Sequence, residues 1–466
     1  MKKILLIFIF LLCLSCDKPA GTILWRTERI NDARITIYDA NNDGINDLIV
    51  SGYQSGKRKD PDNIQIGDSV ALIDGKTHKK IWHFETTRNV TCYPAVAYNR
   101  VYFGSEDYTV YSIDLKTGRL AWIFRTGGKI YSSPSVYDNK IFIGSRDGYF
   151  YALNAKNGSV IWKYMTGGSI DSSPAVNNKK IVFGSRDKYI YCLDTTTGSL
   201  IWKLRLSGFV GESAFATYNG KIFVGTWDGS LYCMVMETGD ILWEFPTDAI
   251  IAEASPVVVS QTVYFGSNDG YLYAINSLNG DLKWKFKAGD AIYSSPAIAD
   301  NAIYFTSRDG HFYALARNGK LRWKFNVKLK MHSSPALDKG TVYFGMPGGW
   351  FTKVTIAEKP DKDTPMDTKK PMRPKRVETN SKTPQPTIAP QTPFMPEPTG
   401  PPIFIGSYIY AMSDPKMGRI RWSMRGGDPT NRGDSIIANS YANKLNAGLN
   451  WWDLLLNRFG INSENE

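Results

Sequence analysis

The sequence predicts an all-β fold, an eight-bladed β-propeller of four-stranded antiparallel blades with a short C-terminal helix, on three observations. Tryptophan recurs at Trp82, Trp122, Trp162, Trp202, Trp243, Trp284 and Trp323 in steps of 39 to 41 residues. Longer steps reach Trp25 on one side and Trp422 on the other, so nine tryptophans bound eight intervals. The segments ending at Trp162, Trp202 and Trp284 ("FGSRDGYFYALNAKNGSVIW", "FGSRDKYIYCLDTTTGSLIW", "FGSNDGYLYAINSLNGDLKW") are copies of one unit, and a fixed period of this length is the mark of a repeat architecture. The composition agrees: 26 Tyr, 22 Phe, 13 Trp and 41 Gly stand against 4 His, which favours strands with glycine turns and disfavours a histidine-built metal enzyme.

Each unit reads as four short strands, of the types "SSPAV", "VYFGS", "YLYALN" and "LKWKF", separated by turn pairs such as Asp147-Gly148 and Asn157-Gly158. Runs such as "KIFIG" (140–144) and "KIVFG" (180–184) are apolar on successive residues. That implies burial of both faces of the sheet, as in a blade pressed between two others. The outer-strand tryptophans are expected to fill the gaps between blades.

The chain opens with Lys2 and Lys3 and an apolar run from Ile4 to Leu14, the layout of a secretory signal and too short to span a bilayer. The boundaries that follow are a signal peptide at 1–15, a tether at 16–21, the propeller at 22–425 and a helix at 435–459. With 56 basic and 44 acidic residues, loss of Lys2 and Lys3 takes the net charge from +12 to +10. In an exported protein this points to anionic surfaces or acidic proteins, and no nucleic-acid partner is expected. Cys92, Cys192 and Cys233 make an odd number and no disulfide framework; the last two occupy equivalent repeat positions and read as buried fillers.

Three departures from the repeat stand out. In the first unit, "DANNDGINDLIV" (39–50) sets Asp39, Asn41, Asp43 and Asp47 around a tight glycine turn, an oxygen-rich set that suits a structural Ca²⁺ and also suits a polar turn. Residues 358–402 hold 12 of the 24 prolines, read as a disordered insertion in the last blade. From 435 to 459, Tyr441, Leu445, Gly448, Trp452, Leu455 and Phe459 fall on one helical stripe, to pack on the propeller or to dock, through Trp452, on a partner or membrane.

On the face carrying the "SRDG" turns, Arg146, Arg186 and Arg308 share one repeat position. Turn geometry does not require them, so they are either a partner-binding patch or a solvated surface paired with aspartates. No nucleophile–base signature, HExxH helix or phosphate loop is present, and no catalytic residue is assigned.

"YSIDLKTGRLAW" (111–122) and "YCLDTTTGSLIW" (191–202) resemble the repeats named from pyrroloquinoline-quinone (PQQ) dehydrogenases, across about residues 22–425. "LCLSC" resembles a bacterial lipobox, which implies acylation of Cys16 after cleavage and anchoring in a membrane. A lipoprotein built of such repeats resembles the BamB family. That resemblance implies a scaffold for envelope proteins at the outer membrane, facing the periplasm, in β-barrel protein assembly. The alternatives are an inner-membrane or surface location, and an extracytoplasmic propeller that binds protein or glycan in another role. The 39–50 loop resembles the calcium loop of FG-GAP blades. Quinoproteins of the repeat family add an adjacent-cysteine disulfide and a top-face calcium site, and this chain has no adjacent cysteines, so neither PQQ nor dehydrogenase activity is expected.

Overall fold

The computed structural model describes residues 23–27, 31–53, 69–251, 253–299, 302–327, 329–338, 340–346, 350–355, 411–413 and 420–422. Seven blades are each built of four consecutive antiparallel strands, and we number them along the chain: 31–85, 95–125, 135–165, 175–205, 216–246, 257–287 and 297–326. A closing sheet follows. Its strands run Ala336–Asp338, Thr341–Met346 and Trp350–Thr355, and its outermost strand comes from the other end of the chain, Ile23–Thr27, paired as Trp25↔Lys353 and Thr27↔Phe351. It is flanked by blade 7 and blade 1, so the ring shuts where N- and C-terminal segments share one sheet.

This corrects the expected ring of eight consecutive units ending at Trp422. Among the described residues seven consecutive blades are present, and Trp25 belongs to the closing sheet rather than opening the first unit. Among the described residues, Ala411–Ser413 and Ile420–Trp422 pair with each other alone, as a two-stranded hairpin. The physical reason is edge satisfaction: an N-terminal strand hydrogen-bonded to Trp350–Thr355 closes the ring without crossing the long proline-rich stretch. No helix occurs among the described residues, and the expected helix at 435–459 lies outside them, as do 1–22 and the 358–402 insertion.

The blades stack as the strand patterns require. In blade 3, Ile141, Phe142 and Ile143 are all fully buried, because one face packs on blade 2 and the other on blade 4. Each outer-strand tryptophan reaches into the following blade. Trp82 donates from Nε1 to Leu115 O (2.8 Å), Trp122 to Ala155 O (3.0 Å) and Trp162 to Thr195 O (3.1 Å). From Trp82 to Trp284 the indole lies against the glycine of that blade's outer turn. At Gly158, with φ +74°, a Cβ would come within 2.6 Å of the Trp122 ring, so the turn needs glycine for its conformation and for the close approach.

Candidate functional site: the turn-rich face and the mouth of the central channel

Two serines in each "SSP" segment hold the innermost strands in place, in different directions. The first is tied within its own blade: Ser172 Oγ donates to Gly184 O and accepts from Gly184 N, both at 2.8 Å. Cys92 takes that position in blade 2, its Sγ 3.3 Å from both Gly104 N and O. The second serine reaches back to the preceding blade. Ser133 Oγ accepts from Tyr93 N, Ser173 Oγ from Ser133 N, Ser295 Oγ from Ser255 N and Ser334 Oγ from Ser295 N, at 2.9 to 3.0 Å. Where Ala214 replaces a serine, a parallel backbone bridge between Ser173 and Ala214 takes over the link. The result is a polar collar around the axis of the ring.

The turn-rich face sits above this collar. Aspartates of the turns after the second strands tie neighbouring blades: Asp147 Oδ2 accepts from Gly127 N of the preceding loop (2.7 Å) and from the Tyr151 hydroxyl (2.8 Å). Asp187 repeats both bonds with Gly167 and Tyr191. These aspartates are therefore occupied, and they do not pair with the adjacent arginines.

Arg146 and Arg186 instead converge on Asp171, which is 0% exposed. Arg146 binds it through two nitrogens (Nε–Oδ1 2.8 Å, Nη2–Oδ2 3.2 Å) and Arg186 through one (Nε–Oδ2 2.6 Å). Both guanidinium groups also lie over aromatic rings, Arg146 over Tyr131 at 3.9 Å and Arg186 over Phe209 at 5.2 Å. Phe209 stacks in turn on Trp227 at 4.8 Å, and Trp227 is 40% exposed. Arg308, three blades further round, does not join them: it lies over Tyr293, and its Nη1 donates to that hydroxyl at 3.3 Å. The single patch of three arginines thus separates into a clamped pair and a distant third.

At the axis, a small space of about 30 Å³ is lined by Arg34, Thr91, Tyr131, Glu212, Glu253 and the collar serines. It has room for a water or two. Burial pushes the Glu212 carboxyl above its usual range; nearby Arg34 opposes this, and the charges of Glu253 and Asp171 add to it. The sequence reading did not single out either glutamate. The signal was present in the repeat spacing, because the steps Trp202 to Trp243 and Trp243 to Trp284 are each one residue longer than 40. The extra residue lies in the segments 210–215 and 251–256, which deliver Glu212 and Glu253 to the axis.

The 39–47 loop lies at the outer end of the first blade's inner hairpin. Its side-chain oxygens accept backbone amides: Asp39 from Asp43 N and Gly44 N, Asn41 from Asp43 N, and Asp43 from Ile45 N. Asp47 is buried and accepts from Ala40 N (3.0 Å) and Gly75 N (2.8 Å); burial raises its carboxyl, with those two amides opposing. Asn46 joins the loop to the closing sheet through Asp338 (2.7 Å). Among the described residues no three His, Cys, Asp or Glu side chains are placed to hold a metal. As folded here the four residues form a hydrogen-bonded turn, and an ion would have to displace amides from Asp39 and Asp43. Cys16 and Trp452 lie outside the described residues.

Two family models match parts of the chain. One, described as the outer membrane protein assembly factor BamB, covers residues 66–171; the other, the β-propeller of the β-alanine-activating enzyme, covers 135–342. No curated protein matches the chain in sequence. Among solved structures, BamB from Moraxella catarrhalis superimposes with a TM-score of 0.58 at 18% identity, covering 72% of this chain and 99% of that one. A computationally designed protein does so with a TM-score of 0.58 at 16% identity, covering 71% and 100%. The chain is a BamB-like PQQ-repeat β-propeller.

Proposed function

We propose that this propeller is a lipid-anchored scaffold of the cell envelope, binding another envelope protein through its turn-rich face, with outer-membrane β-barrel assembly as its setting and no catalytic role. The observation that carries the reading is the continuous row Tyr131, Arg146, Arg186, Phe209 and Trp227. It presents aromatic rings and guanidinium groups side by side across blades 3 to 5, and it ends in an exposed tryptophan. Tyr, Trp and Arg are the residue types that carry most binding energy at protein interfaces. Here Asp171 fixes the arginines in advance, which lowers the entropy lost on binding. The likeness of the fold to BamB, and the lipobox-like segment ending at Cys16, support the anchor and the setting.

The test is affinity capture of envelope proteins by the full chain and by Trp227→Ala. The exposed site makes a stable variant expected, and capture of the main partner should fall at least tenfold, about 1.4 kcal/mol. Unchanged capture would remove this face from consideration. Mass spectrometry of the mature N-terminus should find acylated Cys16, and an unmodified terminus elsewhere would remove the anchor. Dye reduction with an alcohol or sugar after addition of PQQ would overturn the non-catalytic reading.

A further inference from the structure

We propose that the channel mouth between Glu212 and Glu253 binds a hydrated divalent cation, with Mg²⁺ the best fit. Neither carboxylate has a hydrogen-bond or ion-pair partner among the described residues, although both line the same small, half-buried space. The Thr91 hydroxyl, on the same lining, is 95% buried and likewise makes no hydrogen bond. Of these oxygens the Thr91 hydroxyl is buried outright while the two carboxylates are partly exposed, and native structures rarely leave a buried polar atom without a protein, ligand or water partner.

The local charge balance points to a cation. Asp171 is already neutralised by Arg146 and Arg186, so the lining itself carries two carboxylates against one arginine. Arg34 is partly engaged elsewhere, donating from Nε to Thr91 O at 3.2 Å and lying 5.5 Å from the Tyr93 ring. One divalent ion would relieve the repulsion between Glu212 and Glu253 and satisfy Thr91 directly or through its water. The collar serines, whose Oγ atoms each accept one amide, keep a second lone pair for the same water shell.

The donor set decides which ion. Two carboxylates with hydroxyls, and no third acidic or imidazole ligand, do not form a dehydrated cage. Mg²⁺ dehydrates reluctantly and is commonly held by one or two carboxylates while keeping several waters. An ion half in the channel and half in solvent meets that requirement, which a Zn²⁺ site built on His and Cys would not.

The experiment is calorimetric titration of MgCl₂ into the EDTA-stripped full chain, run beside Glu212→Gln/Glu253→Gln, Thr91→Val and Asp43→Ala. The glutamine pair keeps shape and removes charge, so it should fold, which its thermal unfolding checks independently. One site is expected in the wild type, weakened at least about tenfold by the glutamine pair, weakened less by Thr91→Val and unchanged by Asp43→Ala. Equal binding by wild type and the glutamine pair, no binding up to roughly 10 mM, or loss of binding only in Asp43→Ala would each overturn the proposal. The readout is independent of partner capture, so failure of one reading leaves the other standing.

Discussion

Asp171, in the segment entering blade 4, is held by Arg146 of blade 3 in a two-pronged ion pair, Nε–Oδ1 2.8 Å and Nη2–Oδ2 3.2 Å, while Arg186 of blade 4 binds the same carboxylate through Nε–Oδ2 at 2.6 Å. The pair joins two blades at the axis and positions the guanidinium groups on the turn-rich face. It also makes arginine-to-alanine changes there tests of the fold as well as of binding, which is why Trp227 is the cleaner probe.

Asp171→Ala should therefore be more damaging than either arginine change. It leaves two neighbouring guanidinium groups without their shared, fully buried carboxylate, and breaking a buried pair costs on the order of 3–5 kcal/mol, less here because both arginines are partly exposed. Arg146→Ala or Arg186→Ala alone leaves Asp171 one partner and should cost less than half as much. Chemical denaturation of the three variants measures the order, and equal losses would contradict the shared clamp.

Trp243, 4% exposed, should be a folding residue. Its ring lies against Gly280 of the next blade, where φ is +77° and a Cβ would fall 2.8 Å from the indole. Trp243→Ala is expected to cost about 3–5 kcal/mol, and Gly280→Ala to destabilise through both strain and clash. A Trp243→Ala variant as stable as wild type would contradict the wedge.

Cys92, Cys192 and Cys233 should resist thiol reagents in the native protein. All three are buried, and desolvation pushes each thiol up to about 12. At pH 8 a colorimetric thiol assay should show no reaction at these positions until denaturant is added. Labelling of any of them in the native state, found by peptide mapping, would place it nearer the surface.

Glu212 should make stability depend on pH in a particular direction. Its folded carboxyl titrates above the ordinary value of 4.5, so the folded state binds the proton more tightly than the unfolded chain. The corresponding stability is fully present below the unfolded value and is lost as pH rises through the folded one. In EDTA, Glu212→Gln should unfold at a higher temperature than wild type at pH 7, and the difference should shrink as pH falls towards 4. A difference that stays constant across that range would remove Glu212 as its source.

For the 39–47 loop the decisive comparison is chelation. A bound Ca²⁺ would stabilise the native state by mass action, so with Mg²⁺ held constant, EGTA, which takes Ca²⁺ far more tightly than Mg²⁺, should lower the unfolding temperature of wild type and not of Asp43→Ala. If neither changes, Asp39, Asn41, Asp43 and Asp47 serve only as the hydrogen-bonded turn.

The sequence by itself determined the blade. The spacing of Trp82 through Trp323, the Asp-Gly and Asn-Gly turns and the doubly apolar strands are local features, and each is written into a segment of about 40 residues. Three things depended on contacts between segments far apart in the chain. Ring closure turned on which strand meets the free edge of Trp350–Thr355, and Ile23–Thr27 does so across more than 300 residues. The arginine patch divided at one repeat position: aspartate at 171 serves Arg186 of its own unit and Arg146 of the preceding one, whereas Arg308 meets Tyr293 in its own unit and the next unit carries His332 at that position. The channel mouth gathered Arg34, Thr91, Glu212 and Glu253 from four different units. A one-residue lengthening that reads as a minor irregularity of the repeat becomes, at the axis, two carboxylates on the lining of one space, because every blade brings its innermost strand to the same narrow place.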